Sequence, residues 1–183
     1  QSCLREAGRE LEALDAVAVS RGPGSYTALR IGTAAAKGIC FALDKPLIAV
    51  DTLQSLALAA LRQEEREAVY VPMIDARRME VYTALFDHRN HPLTEARAMI
   101  IDADAFAQRR AAGRQLLLCG NGAEKCRPVL NGPDIHYSEV RCSALHLVPL
   151  AFHHFLEKKF VDAAYFSPFY LKPPNITRPK KKL

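Results

Sequence analysis

The sequence predicts an α/β fold with a mostly parallel sheet covered on both faces, and three observations carry that prediction. Short apolar runs at 16–19, 47–50 and 116–119 alternate with stretches whose apolar residues recur at helical spacing. A glycine-proline turn, Gly22-Pro23-Gly24, joins the first run to one long helical stretch. Three more β-type runs, 69–74, 80–86 and 93–101, follow one another with only turns between them, as in a meander. With 183 residues, 49% of them hydrophobic, the chain can bury a sizeable core as one domain or as two small lobes.

Residues 1–11 read as the tail of an amphipathic helix, with Leu4, Leu11 and Leu14 set among charges. The sequence opens on Gln1, so an N-terminal part of the natural protein is expected to be missing from it. After the strand at 16–19, Gly22 and Gly24 allow a sharp turn, and Ser25 or Thr27 can accept hydrogen bonds from the first free amides of a helix running to Leu43. That helix is apolar around most of its circumference. Ala28, Leu29, Ile31, Gly32, Ala35, Ala36, Ile39, Cys40, Ala42 and Leu43 leave a narrow polar stripe through Tyr26, Arg30, Thr33, Lys37 and Asp44. Such a helix needs cover on two sides, one from its own sheet and one from something else; a second layer of the same domain would also serve. Ala28, Gly32 and Ala36 recur every four residues, a spacing that admits the close approach of another helix.

Lys45-Pro46 ends the helix, and a strand at 47–50 follows. Asp51 or Thr52 caps the next helix, whose apolar positions are Leu53, Leu56, Ala57, Ala60 and Leu61. A lobe boundary is expected near Asp44 and Lys45. The meander turns at 75–78 and 87–92. Asp102 caps a helix through Arg110, residues 116–119 form a strand, and Gly120-Asn121-Gly122 turns into another helix. A strand at 135–137, a helix over 143–159 and an extended 169–171 complete the reading. The expected division is therefore 1–44, 45–171 and a basic tail at 172–183.

The formal net charge of +5 is compatible with an anionic partner, but much of the excess sits in Lys172, Arg178, Lys180, Lys181 and Lys182, a Pro-Lys tail of the kind usually solvated. No apolar run is long enough to span a membrane. Five cysteines without CxxC spacing fit a reducing cytoplasm rather than a disulfide framework. The Gly22, Gly24, Ser25 and Thr27 loop could hold an anion or nucleotide phosphate, although no Walker lysine follows; a plain strand-helix connection explains it as well. Ser25 lacks the Gly-x-Ser-x-Gly setting of a nucleophile and reads as a helix cap. Asp75, Arg77 and Glu80 could face a cleft or form a structural ion pair.

Within this frame, the stretch GPGSYTALRIGTAAAKGICFALDKPLIAVDTLQSLA resembles the signature of the TsaB family, the non-catalytic paralogues in bacterial tRNA threonylcarbamoyladenosine synthesis. Asp75-Ala76-Arg77, Glu80-Val81-Tyr82, Gly120-Asn121-Gly122 and Tyr170-Leu171 follow in the family's order across almost the whole chain. Ala28 departs from the glycine usual there. The resemblance implies the two-lobed actin-like ATPase (ASKHA, ribonuclease H-like) fold, with the first lobe lacking its three opening strands in this sequence.

The catalytic paralogue carries a His-x-x-x-His metal pair where this chain has Thr52 and Leu56, and no other such pair occurs in the sequence. The chain is thus expected to bind no metal or cofactor of its own, with ATP and a metal on the partner. The implied function is that of an accessory subunit. A heterodimer with a TsaD-like paralogue, working with a TsaE-like ATPase, transfers threonylcarbamoyl to adenosine 37 of tRNA. Its expected packing surface is Ala28, Gly32, Ala35, Ala36 and Ile39, with Arg30 and Lys37 at the rim. A homodimer through the same surface would compete. The alternative is a peptidase or nucleotide hydrolase using Ser25 or the carboxylates near Asp75.

Overall fold

The computed structural model describes residues 2–173. It begins with α1 (Ser2–Glu6) and a 3-10 turn at Leu11–Ala13. The continuous helix expected over 1–11 is broken at Gly8, whose φ of 61° is left-handed.

Two strands, β1 (Val17–Gly22) and β2 (Leu47–Asp51), pair in parallel with Val17 opposite Leu47, and α2 (Tyr26–Leu43) makes the crossover between them. The expected lobe boundary at 44/45 therefore falls inside a sheet, because β1 and β2 are paired across it. Both faces of this sheet are covered. On one, Ala36 and Cys40 of α2 pack with Val17, Val19 and Leu47 and with Val161 and Phe166 near the C-terminus. On the other, Ala151 of α5 (Val148–Leu156), with Leu150 and Phe155, packs on Ile48 and Val50.

After β2 comes α3 (Thr52–Gln63), then β3 (Val69–Asp75), β4 (Glu80–Thr83), β5 (Arg97–Ile100), α4 (Ala107–Ala111), β6 (Leu116–Cys119) and β7 (Ile135–Tyr137). These strands form a second sheet in the order β5-β4-β3-β6-β7, antiparallel through the meander and parallel from β3 to β7. The two-residue period of a strand divides the side chains. Val69, Val71, Met73, Leu116 and Leu118 pack on one side with Val81 and Leu130. Tyr70, Ile74, Leu117 and Cys119 meet Leu53, Leu56, Ala57 and Ala60 of α3 on the other. Burial of each α3 leucine contributes about 2 kcal/mol. The Tyr70 hydroxyl, inside this core, donates toward Glu64 O and Arg66 O and accepts from Arg66 N.

Several expected elements are shorter. Between β4 and β5 the ladder gives way to isolated bridges at Tyr70–Phe86 and Phe86–Pro92, with the Thr94 side chain accepting from Leu85 N. Phe106, at φ 66°, interrupts the helix expected from Asp102. The helix expected after Gly122 is only a 3-10 turn, Glu124–Cys126, stopped ahead of Pro128. The helix over 143–159 starts as a 3-10 turn at Ala144–Leu147, becomes α5, and ends before Lys158, which is left-handed at φ 55°. The basic tail from residue 174 lies outside the described residues.

Candidate functional site

The glycine loop closes tightly beneath the C-terminal segment. Gly22 has φ 105°, and a Cβ there would stand 2.6 Å from Phe169 O; Phe169 N in turn donates to Arg21 O at 2.7 Å. Ser25 is the cap of α2: its Oγ accepts from Ala28 N at 3.4 Å and its carbonyl from Leu29 N. Thr27 is exposed in the first turn.

Next to this loop lie Thr52 and Leu56, the two positions that the resemblance sets against the paralogue's metal pair. Thr52 Oγ1 is hydrogen-bonded to Ser20 Oγ and accepts from Gly22 N at 3.1 Å, tying the start of α3 to the end of β1. Leu56 is 1% exposed, in the α3 core. Both line a cavity of about 290 Å³ with Ser20, Cys142 and His146. Among the described residues no group of three or more His, Cys, Asp or Glu could hold a metal ion. An apolar side chain in place of the second imidazole does not fit the paralogue's metal.

On α2, one face is in the core and the opposite face is open. Leu29, Thr33, Ala36 and Cys40 are buried, whereas Ala28, Ile31, Ala34, Ala35, Gly38, Phe41 and Ala42 are exposed, Ile31 by 66% and Phe41 by 91%. This corrects part of the expected packing surface. Ala36, at 6% exposure, belongs to the chain's own core. A four-residue step advances about 40° beyond one full turn, so two steps carry the Ala28–Gly32–Ala36 row from the outer face into the sheet. Gly32 and Ile39 are half-buried at the edge, and a Cβ on Gly32 would touch Val19 at 3.9 Å.

Lys37 is likewise turned toward its own chain, donating to Ala164 O at 2.9 Å and Phe166 O at 3.1 Å. Arg30 lies on the exposed side, where its bond to the Tyr26 hydroxyl at 3.0 Å raises its pKa further. Ala28 puts its methyl group on the outer face. Ile31 and Phe41 were missed as surface residues. The signal for them was present in the series Ile31, Ala34, Gly38 and Phe41, whose alternating steps of three and four stay on one face.

The Asp75, Arg77 and Glu80 cluster is brought together with the start of α2. A cleft of about 440 Å³ is lined by Ser25, Tyr26 and Thr27, by Asp75, Arg77 and Tyr82, and by Tyr170 and Lys172. Asp75 pairs with Lys125, and this hydrogen bond is the main cause of its lowered pKa. Glu80 pairs with Lys172. Asn121 Oδ1 accepts from Asp75 N at 3.2 Å, a bond that fixes the strand end. Among the described residues no histidine lines the cleft, so a serine-histidine pair is not formed around Ser25.

The sequence model of the family described as TsaD, tRNA N6-adenosine threonylcarbamoyltransferase, matches residues 1–176. The Escherichia coli tRNA threonylcarbamoyladenosine biosynthesis protein TsaB is 30% identical over 94% of this chain and 77% of its own length. The TsaB proteins of Bacillus subtilis and Haemophilus influenzae are 37% and 43% identical over 49% and 43% of this chain, stretches covering 38% and 33% of their lengths. A solved structure of YeaZ from Pseudomonas aeruginosa superposes with a TM-score of 0.72 at 29% identity, over 92% of this chain and 79% of that one. An uncharacterized protein with similarity to peptidase YeaZ from Pseudomonas aeruginosa gives 0.74 at 27% identity, over 93% and 80%. The fold is thus the actin-like one. The chain belongs to the TsaB (YeaZ) family of tRNA threonylcarbamoyladenosine biosynthesis proteins.

Proposed function

We propose that this chain is a non-catalytic accessory subunit that docks a TsaD-like paralogue on the outer face of α2. The observation that carries the reading is that face: small residues at 28, 35, 38 and 42 flanked by Ile31 and Phe41, all exposed. Small residues let a second helix approach closely, and the large apolar ones reward its arrival with area removed from water. Leu56 in the core, where a metal ligand would stand, supports placing the chemistry on the partner.

In this reading the partner holds ATP and the metal. The pair, with a TsaE-like ATPase, transfers threonylcarbamoyl to adenosine 37 of tRNA in the cytoplasm. Among the described residues no helix is long and apolar enough to cross a membrane. A homodimer on the same face would be displaced by the partner. The test is co-elution of this protein with the TsaD-like paralogue, with wild-type and Ala35→Arg forms compared. Loss of co-elution in the variant supports the face, and unchanged co-elution contradicts it.

A further inference from the structure

We infer that the groove between the ends of β1 and β2 and the 84–96 stretch of the meander binds a short apolar peptide, its free carboxylate at Arg21 and its ammonium group at Glu95. This goes beyond the partner reading, since among the described residues none from α2 lines the groove. The space measures about 610 Å³, within the range of sites that take ligands larger than one amino acid. Its lining is largely apolar. Ala84 and Phe86, each 4% exposed, belong to the core beneath α3, and Ala96 packs against the same cluster. Leu93 and Phe169 also line the groove and are each 40% exposed, apolar surface that an entering side chain would remove from water. Both are held in place by the backbone: Leu93 N donates to Leu85 O and Phe169 N to Arg21 O, each at 2.7 Å. The groove is therefore formed before any ligand arrives.

The charges select a zwitterion. On the wall made by β1 and β2, Arg21 Nη2 donates to Asp51 Oδ2 at 3.3 Å, a single long bond that uses one of the five guanidinium N–H groups. Asp51 is also engaged elsewhere, its Oδ1 accepting from Gln54 N at 2.9 Å at the start of α3. The Arg21 side chain is half exposed, and the rest of its fork can hold a carboxylate by two parallel bonds. On the meander wall, Glu95 is exposed and makes no hydrogen bond or ion pair among the described residues. A guanidinium on one wall and a carboxylate without a cation on the other, in one apolar space, match the two termini and the side chains of a short apolar peptide.

Calorimetric titration of the full chain with trileucine, N-acetyltrileucine, trileucine amide and free leucine tests the assignment. We expect trileucine to bind, and each singly blocked form to bind about tenfold more weakly for want of one charge-assisted contact. Arg21→Gln should weaken trileucine by a similar factor and leave the amide, which has no carboxylate, unchanged. Glu95→Gln should weaken trileucine likewise and leave the N-acetyl form unchanged. A merely structural role of either residue would lower the affinity of every peptide alike. Leu93→Ser, which alters the apolar lining, should weaken all three peptides. Absence of trileucine binding, blocked termini that bind like free ones, or free leucine that binds as tightly as trileucine overturns the inference. Co-elution with the paralogue does not depend on this result, so the two readings fail separately.

Discussion

At Gly22 a single methyl group decides whether the loop closes. The added Cβ would collide with Phe169 O, on a backbone at φ 105° that side chains rarely adopt. Gly22→Ala is expected to cost about 2 kcal/mol or more, measured by urea unfolding. Gly38, mid-helix with nothing within 4 Å of its Cβ position, is the opposite case. Gly38→Ala should stabilise the isolated protein by about 0.5–1 kcal/mol.

His154 supplies a pH test. Burial, then Lys159 and His153, hold its pKa below the ordinary value of about 6.5. The unfolded chain therefore takes up that proton first. The resulting stability is present above pH 6.5 and is lost as pH falls through that value toward the lower folded-state one. Tm should drop on acidification through this range, and His154→Gln should reduce the drop. The roles of Gly22 and Ser25 were legible in the sequence because a turn and a cap are local events. Burial of His154 was not, since it depends on packing against a distant strand.

The α2 helix shows how far element-scale reasoning reaches. Its limits, its cap and its unusual apolar breadth could all be read from residues 20–43. Which apolar residues face outward could not be taken from four-residue spacing alone, because that row drifts around the helix; Ala36 ended inside. The design of an interface variant changes accordingly. A bulky residue at Gly32 would press on Val19 and confuse folding with binding. Ala35→Arg, on the exposed face, should leave the unfolding free energy within about 0.5 kcal/mol of wild type while abolishing association with the paralogue. Calorimetric titration and thermal melts on the same samples check both halves. Other elements were legible in kind but not in length. The helices expected over 102–110 and 143–159 were cut by a left-handed Phe106 and a 3-10 entry. The meander lost its regular ladder near Phe86, where the Thr94 hydroxyl accepts from Leu85 N and the Asp87 carboxylate accepts from Arg89 N and His91 N.

At the scale of the whole molecule, the α/β class followed from alternating runs, but the pairing of β1 with β2 across α2 did not. Strand partners separated by a helix are set by tertiary closure, which periodicity does not encode. The same closure brings Ser25, Arg77 and Tyr170 into one cleft, and local patterns could name each motif without placing them together. The two covered sheets leave α2's outer face apolar and open, and the proposed role of the protein depends on what covers it.

The most direct measurement is light scattering of the protein alone, the TsaD-like paralogue alone, and their mixture, with tRNA threonylcarbamoyladenosine formation assayed on each in the presence of the TsaE-like ATPase. We expect the mixture to show the summed mass of a heterodimer and to be the sample that modifies tRNA, with Ala35→Arg abolishing both. A protein that stays separate from the paralogue and forms the modified base without it would contradict the accessory role.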